Sequence, residues 1–262
     1  MSLVVALVLI SYERERPRRD AARACPFQTG IYAASYDLAL LIWQIVTPIR
    51  TALFPVISRL WDQDQQFEAG QYLARSMKLM LFLAIPGAVG LTLLAPPVLR
   101  VLATAEFVAD SYFIVPVAAL GVVCQGLSLF FGMLLRLHKN TRVIAVGLIL
   151  SASVHLILNL ILIPLMGIRG GALASLAGYG LDLGLISWLA WQQSQFALPI
   201  RPALVFVLAS ILMSPAVWWL SQSGGLVSIG LAVGAGILIY GVTTLLLNGI
   251  SVREIRILLK RD

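Results

Sequence analysis

This 262-residue chain is 60% hydrophobic and only 12% charged, and its mean hydropathy is +0.92. Soluble domains carry about 25% charged residues, so this composition excludes most soluble enzymes and indicates a membrane protein. The formal net charge of +7 is attributed to basic loops that indicate which side of the membrane each loop occupies, and no nucleic-acid partner is expected. Cys25 and Cys124 are far apart in sequence, so we expect no disulfide, no metal site and no cofactor.

The first 28 residues do not match the rest of the chain. Residues 2–11 are apolar but too short to span a bilayer, and they lack the basic start of a secretory signal. Five arginines follow, from Arg14 to Arg23, on the side that the later loops predict to be external. Either residues 1–28 stay cytoplasmic and disturb the first span, or they are the scar of a truncation or a frameshift.

Seven apolar stretches, each long enough to cross a bilayer, occupy the chain from Thr29 to Val252. The sequence therefore predicts an all-α polytopic membrane protein with about seven transmembrane helices. Five spans fall within residues 29–196, and residues 197–252 form an additional two-helix hairpin. Residues 253–262 form a basic tail.

The segment between the first two spans is polar and amphipathic. Residues 61–78 place Phe67, Tyr72, Leu73 and Met77 where they can share one helical face. This pattern predicts an interfacial helix that connects the two spans.

The short loops predict which side of the membrane each one occupies. Basic residues follow the first, third and fifth spans and recur in the tail: Arg59, Arg75, Lys78, Arg136, Lys139, Arg142, Arg201, Arg253, Arg256, Lys260 and Arg261. The opposite loops hold only Arg100 and Arg169. Because basic loops stay inside, the first set and the C-terminus are predicted to be cytoplasmic.

The first span carries a polar stripe on one helical face. Its members recur every seven residues, and they are Asp37, Gln44, Thr51 and Ser58. Arg50 lies beside this stripe, between Pro48 and Pro55. A charge at bilayer depth costs about 3 kcal/mol, so Arg50 and Asp37 are expected to face protein or a wet cavity. The alternative for Asp37 is contact with interfacial water at the outer end of the span.

The fourth span carries a second set of polar residues at helical spacing, namely Ser151, His155 and Asn159. Four-residue spacing places all three on one side of the helix. The stripe serves either hydrogen bonding between helices or the lining of a cavity in which His155 titrates or binds substrate.

The fifth span has a narrow face of small residues formed by Gly171, Ser175 and Gly178. Small residues let helix backbones approach closely, so this face predicts a packing seam, most simply against the fourth span. Asp182 ends the seam near the membrane midplane. A carboxylate at that depth is expected to be protonated, paired or hydrated.

Two stretches of this chain carry sequence patterns of a known family. The first is QTGIYAASY at residues 28–36 with LFPVISRL at residues 53–60. The second is HKNT at residues 138–141, followed by LNL at 158–160, LIPLMGI at 162–168 and GGALAS at 170–175. Together they resemble polysaccharide/O-antigen-type flippases of lipid-linked oligosaccharides, in the multidrug/oligosaccharidyl-lipid/polysaccharide exporter superfamily, and the resemblance runs from about Gly30 to Trp191. It implies that the seven spans correspond to helices eight to fourteen of a fourteen-helix, two-lobe transporter.

The resemblance also implies a function and roles for the polar residues. The expected activity is export of a lipid-linked glycan across the inner (cytoplasmic) membrane, with the missing N-terminal lobe as partner. Arg50 would meet the pyrophosphate of the substrate, and the other substrate-binding candidates are Gln44, Thr51, His155 and Asn159. The candidates for binding a coupling ion are Asp37, Asp182 and His155.

Two other functions are compatible with the same sequence. One is a multidrug or cation antiporter of the same superfamily, for which Asp37 and Asp182 would supply acidic groups in the cavity. The other is a membrane scaffold that transports nothing itself. A phosphate-binding loop, metal-ligand spacing and a nucleophile elbow are all absent from the sequence, so we do not expect an enzyme.

Overall fold

The structure is a computed structural model that describes residues 21–102, 105–139, 141–193, 199–222 and 225–249. It contains seven α-helices within these ranges: α1 Ala21–Asp62, α2 Gln66–Leu102, α3 Ala105–Leu137, α4 Thr141–Met166, α5 Ile168–Gln193, α6 Ile200–Ser221 and α7 Leu226–Leu246. All seven are long and apolar enough to cross a membrane. The predicted all-α fold with seven spans is confirmed.

The connection between the first two spans differs from the prediction. The chain turns at residues 63–65, with Asp64 at a φ of 58°, and α2 begins immediately at Gln66. A separate interfacial helix over residues 61–78 is therefore wrong, because these residues are the end of α1 and the first turns of α2. Leu73 and Met77 are buried, whereas Phe67 and Tyr72 are exposed, so the four apolar residues do not share one face.

The start of α1 also differs from the expected start of the first span. The helix begins at Ala21, eight residues before Thr29, so it includes part of the segment that the sequence set apart. The predictions for residues 1–20 lie outside the described part of the chain.

Helix α3 is the centre of the bundle. It packs against α1, α2 and α5, and it is the most buried of the seven spans. Two glycines of α3 lie at these three contacts. A Cβ at Gly126 would collide with Met80 of α2 and meet Val46 of α1, and a Cβ at Gly121 would lie 2.9 Å from the ring of Tyr179 of α5. Close packing around α3 therefore depends on glycines, which have no side chain.

Helices α4 and α5 form a hairpin with a one-residue turn. Gly167 adopts a φ of +63° there, a conformation that residues with a Cβ rarely adopt. A Cβ at Gly170 would collide with the carbonyl of Leu162, so the hairpin closes against bare backbone. The outward face of α4 exposes large apolar side chains, including Val146, Ile149, Leu160 and Leu165, as expected of a lipid-facing surface.

Helices α6 and α7 pack against each other as a second hairpin. Its principal contacts outside the hairpin are with α2. Phe82 of α2 packs against Phe206 of α6 and Tyr240 of α7, with ring centroids 5.5 and 5.3 Å apart. This aromatic cluster attaches the hairpin to the five-helix body.

Contacts between helix ends agree with spans that alternate in direction. The ring centroids of Trp61, at the end of α1, and His138, which follows α3, are 4.7 Å apart. The Cζ of Arg169, at the start of α5, lies 6.0 Å from the ring centroid of Phe113, near the other end of α3. Each of these contacts brings together two helix ends that lie at the same end of the bundle.

Candidate functional site

The polar stripe of α1 faces away from the other helices that the structure describes. Asp37, Gln44 and Thr51 are exposed, and Ser58 is half-buried. The sequence correctly placed them along one helix, but they are turned outward from the seven-helix body. Exposed carboxylate, amide and hydroxyl groups at bilayer depth require water or further protein beside them.

Two prolines add backbone acceptors to the polar stripe. A proline lacks the amide that normally bonds the carbonyl four residues earlier. Pro48 and Pro55 therefore release the carbonyls of Gln44 and Thr51, both of which belong to the stripe. Helix α1 continues through both prolines to Asp62. The stripe presents freed backbone acceptors as well as polar side chains.

Arg50 lies beside the stripe and is half-buried. Its Nε is buried and has no hydrogen-bond partner within the described part of the chain. The nearby guanidinium of Arg136, at the end of α3, is close enough for the two positive charges to repel each other. The sequence analysis counted Arg136 only as a loop charge, and nothing in its local pattern reveals that α3 brings it towards Arg50.

The small-residue face of α5 lies against α4. A Cβ at Gly178 would be 2.9 Å from the Cβ of His155, so the two backbones approach as closely as the absent side chain permits. Gly171 and Ser175 are buried on the same face, and the hydroxyl of Ser175 donates to the carbonyl of Gly171 at 2.9 Å. This is the geometry of a helix-packing seam.

A buried polar network crosses this seam. The Nε2 of His155 lies 3.2 Å from the hydroxyl of Ser175 and 3.0 Å from the Nδ2 of Asn159. Asn159 also donates to the carbonyl of His155 at 2.8 Å, while its Oδ1 has no partner within the described residues. Tyr32 of α1 reaches the hydroxyl of Ser175 at 3.4 Å. His155 and Asn159 are therefore held between helices.

Asp182 is paired with a residue that the sequence analysis did not identify. Ser128 of α3 donates a hydrogen bond of 2.5 Å to the Oδ2 of Asp182. Beside it, the hydroxyls of Tyr36 and Tyr179 are 2.6 Å apart and join α1 to α5. Asp182 thus continues a set of polar contacts that connects the helices through their interior.

A cavity of about 340 Å³ lies between α3, α4 and α5. It joins two of the predicted coupling-ion candidates, His155 and Asp182, and it excludes the third, Asp37. Its lining consists of Gln125, Leu148, Ser151, Ala152, His155, Leu156, Gly178, Tyr179 and Asp182. The hydroxyl of Ser151 is buried without a hydrogen-bond partner among the described residues. Among those residues, no group of three His, Cys, Asp or Glu side chains is arranged to hold a metal ion.

The candidate residues therefore fall into two groups. Arg50, Gln44, Thr51 and Asp37 lie on α1, whereas His155, Asn159 and Asp182 lie on α4 and α5. The cavity has no lining residue from α1. Among the described residues, the members of the predicted substrate-binding set therefore lie in two places, with His155 and Asn159 in the interior network.

The sequence profile of the family described as lipid II flippase MurJ matches residues 29–240. This chain belongs to that family. The predicted resemblance to flippases of lipid-linked glycans is confirmed at this level, and the chain is a multi-pass membrane protein of a transporter family.

This chain aligns with only part of the length of each relative. A probable lipid II flippase MurJ of Bdellovibrio bacteriovorus is 30% identical over 188 residues, which are 68% of this chain and 36% of that protein. A probable flippase AglR of Haloferax volcanii is 31% identical over 150 residues, or 56% of this chain and 31% of the relative. This chain therefore spans about a third of these curated relatives.

A solved structure supports the same fold. The lipid II flippase MurJ in an inward closed conformation aligns with a TM-score of 0.64 at 17% identity, over 93% of this chain and 51% of that one. That neighbour has fourteen helices in two lobes. The seven helices of this chain therefore share the fold of about half of that structure.

Proposed function

We propose that this chain forms the C-terminal half of a two-lobe flippase that exports a lipid-linked glycan precursor across the cytoplasmic membrane. Membership of the MurJ family supports this function, and so do the flippase names of the relatives. The seven helices would be helices eight to fourteen, with residues 29–196 as a lobe and residues 197–252 as an appended hairpin. The C-terminal tail would then be cytoplasmic.

The substrate class that we propose is a lipid-linked polysaccharide or oligosaccharide whose pyrophosphate joins the lipid to the glycan. The observation that carries this proposal is Arg50, a half-buried cation with a buried Nε that has no partner in the described part of the chain. Guanidinium groups bind phosphate oxygens in a bidentate manner. Because Arg136 places a second positive charge nearby, an anion beside Arg50 would relieve the repulsion between them.

The polar stripe would form the wall of the passage between the two lobes. Gln44 and Thr51 are exposed on the same helix as Arg50, and their carbonyls are released by Pro48 and Pro55. These donors and acceptors suit the hydroxyl groups of a glycan. Asp37, at the outer end of the stripe, would meet either water or a coupling ion. An N-terminal lobe would cover this face, as alternating access between two bundles requires.

The test is made in a full-length transporter that contains this chain. Arg50→Ala is expected to abolish complementation of a glycan-export defect while the protein still reaches the membrane. Arg50→Lys is expected to rescue only in part, because a point charge loses the bidentate geometry. Arg136→Ala should reduce export less than Arg50→Ala. The matched control is Arg59→Ala, which removes an exposed arginine from the last turn of the same helix.

Export must be measured at equal amounts of protein in the membrane. Normal export by Arg50→Ala would overturn the proposed anion site. Equal loss in Arg59→Ala would also overturn it, because the effect would then follow from total positive charge.

A further inference from the structure

We propose that the exposed start of α2 is a docking surface for residues 250–262, the segment of this chain that follows the α6–α7 hairpin. The inference goes beyond the proposed function and does not depend on which substrate is exported. It names one surface, one occupant and the chemistry that joins them. The docked segment ties the end of α7 to the start of α2.

The first turns of α2 carry an exposed face. Helical spacing places this face on the side of α2 that carries Phe82, the residue against which α6 and α7 pack. The opposite side of the same turns, with Leu73 and Met77, is buried in the bundle. The exposed face therefore continues the surface on which the hairpin already packs. We call it the α2 extension, and its residues are Phe67, Glu68, Gln71, Tyr72 and Arg75.

The hairpin ends before it reaches the far end of the α2 extension. Alternating spans bring the end of α7 to the same end of the bundle as the start of α2. Tyr240, which bonds to the carbonyl of Phe82, lies six residues from the end of α7, a rise of about 9 Å. Phe67 lies fifteen residues before Phe82, a rise of about 22 Å. About 13 Å of α2 therefore extends past the end of α7.

The distance of Phe67 from the membrane excludes lipid as its cover. The charge-free run of α2 begins at Leu79, twelve residues and about 18 Å along the helix from Phe67. The headgroup region on each side of a bilayer is only about 5 to 8 Å thick. The side chain of Phe67, which is 79% exposed, therefore lies beyond the lipid. Aromatic side chains are enriched where proteins contact one another, so this surface suits a peptide segment.

The end of α7 directs the following residues towards this surface. Asn248 adopts a left-handed φ of 53°, and the amide of Gly249 donates to the carbonyl of Thr244 at 2.8 Å. This is a Schellman cap, which ends a helix and bends the chain. A Cβ at Gly249 would lie 3.2 Å from the ring of Phe206 in α6. The chain therefore leaves α7 beside the ring that packs on Phe82 of α2.

The sequence of residues 250–262 is amphipathic at helical spacing. Its apolar residues share one side and its basic residues another, the first being Val252, Ile255, Leu258 and Leu259 and the second Arg253, Arg256 and Lys260. Thirteen residues in a helix extend about 20 Å, which is longer than the part of α2 to be covered. The apolar side would cover the exposed aromatic rings of the α2 extension.

The charges of the two partners are complementary. Glu68 lies on the α2 extension, and Asp64 lies in the turn just before it, and both are exposed. A helical segment that runs antiparallel to α2 from Gly249 would bring Arg256 level with Glu68 and Lys260 level with Asp64. Exposed ion pairs are weak, so these pairs would fix the orientation of the segment, and burial of the aromatic rings would supply most of the affinity.

The first experiment measures proximity in a full-length transporter whose native cysteines have been replaced. Gln71→Cys and Ile255→Cys should form an intramolecular disulfide under mild oxidation. The matched control pairs Ile255→Cys with Lys139→Cys, which is exposed at the same end of the bundle, after α3. This control pair should cross-link several-fold less. Equal yields for the two pairs would show that the segment is not docked and would overturn the proposal.

Two other occupants predict different results in the same variants. A second copy of the chain would give cross-linked dimers in place of the intramolecular product, at a yield that rises with protein concentration. The membrane surface would hold the segment away from α2. In nanodiscs that contain phosphatidylglycerol, brominated lipid would then quench a fluorophore on Ile255→Cys, and the cross-link to Gln71→Cys would be lost. Either result overturns the proposal.

The second experiment tests the chemistry of the contact through the yield of the same cross-link. Phe67→Ser should reduce the yield several-fold, whereas Tyr112→Ser, which removes an exposed aromatic residue at the other end of the bundle, should leave it unchanged. Thermal unfolding in detergent checks that both variants are folded. Glu68→Lys and Arg256→Glu should each reduce the yield, and the double variant should restore it. An unchanged yield in Phe67→Ser, or a double variant no better than the single ones, contradicts the proposed contact.

Discussion

The hydroxyl of Tyr240 donates a hydrogen bond of 2.8 Å to the carbonyl oxygen of Phe82, the acceptor that Pro86 deprives of its helical amide. A proline in a transmembrane helix is tolerated where another group satisfies the freed carbonyl. Here that group comes from α7, at the far end of the chain from α2. The backbone hydrogen bond that α2 lacks at Pro86 is therefore replaced by the polar contact that attaches the α6–α7 hairpin.

Loss of this hydroxyl should weaken the attachment of the hairpin. Tyr240→Phe leaves the Phe82 carbonyl without a donor and is expected to destabilise the protein by about 1 kcal/mol, measured by thermal unfolding in detergent. In a Pro86→Ala background the amide of residue 86 can bond the carbonyl, so Tyr240→Phe should cost less there. Equal costs in both backgrounds would contradict this account.

The α4–α5 seam should not tolerate a large side chain. Gly178→Leu is expected to reduce the yield of folded, monodisperse protein, because the new side chain would push His155 and its helix away. Gly180→Leu is the matched control, since Gly180 is exposed on the same helix and has no atom within 4 Å of an added Cβ. Similar yields and melting temperatures for the two variants would show that the seam is not tightly packed.

The turn between α4 and α5 should require glycine. Gly167→Ala places a Cβ on a residue with a φ of +63° and is expected to lower stability by about 1 kcal/mol. Gly184→Ala, in an exposed and open position within α5, should be neutral or stabilising because alanine favours helix. Thermal unfolding of both variants tests this, and a neutral Gly167→Ala would exclude strain at the turn.

The polar stripe should be in contact with water in a complete transporter. With Cys25 and Cys124 replaced, Gln44→Cys is expected to react with a membrane-impermeant maleimide added to inside-out vesicles or intact cells. Ile157→Cys, exposed on the apolar face of α4, should remain unlabelled in both. Labelling of both positions, or of neither, would contradict the assignment of the stripe to an aqueous passage.

Much of the fold was predictable because charge-free runs mark transmembrane helices directly. The runs around Leu79–Leu99 and Ser111–Leu135 lie within α2 and α3. The α1–α2 connection was mispredicted, because a polar segment is equally compatible with an interfacial helix and with helices that extend beyond the apolar run. Only the packing of Leu73 and Met77 into the core distinguishes these cases.

The candidate sites were only partly predictable. Spacing along one helix identified the polar stripe and the small-residue face of α5, since both depend on local periodicity. It did not identify Ser128 as the partner of Asp182, which is 54 residues away in sequence, or Arg136 as the neighbour of Arg50. These pairs arise from the position of α3 between other helices, and no periodic pattern in one helix encodes that position.

The attachment of the second hairpin to α2 has a practical consequence for imaging. Small membrane proteins are commonly visualised by cryo-electron microscopy with an antibody fragment that serves as a fiducial marker. A fragment raised against the exposed ends of α6 and α7 would move together with α2, because α2 makes most of the contacts between this hairpin and the five-helix body. A fragment bound at the turn around Gly167 would instead follow α4 and α5. Comparing particle alignment with the two fragments would show whether α2 tilts independently of that pair.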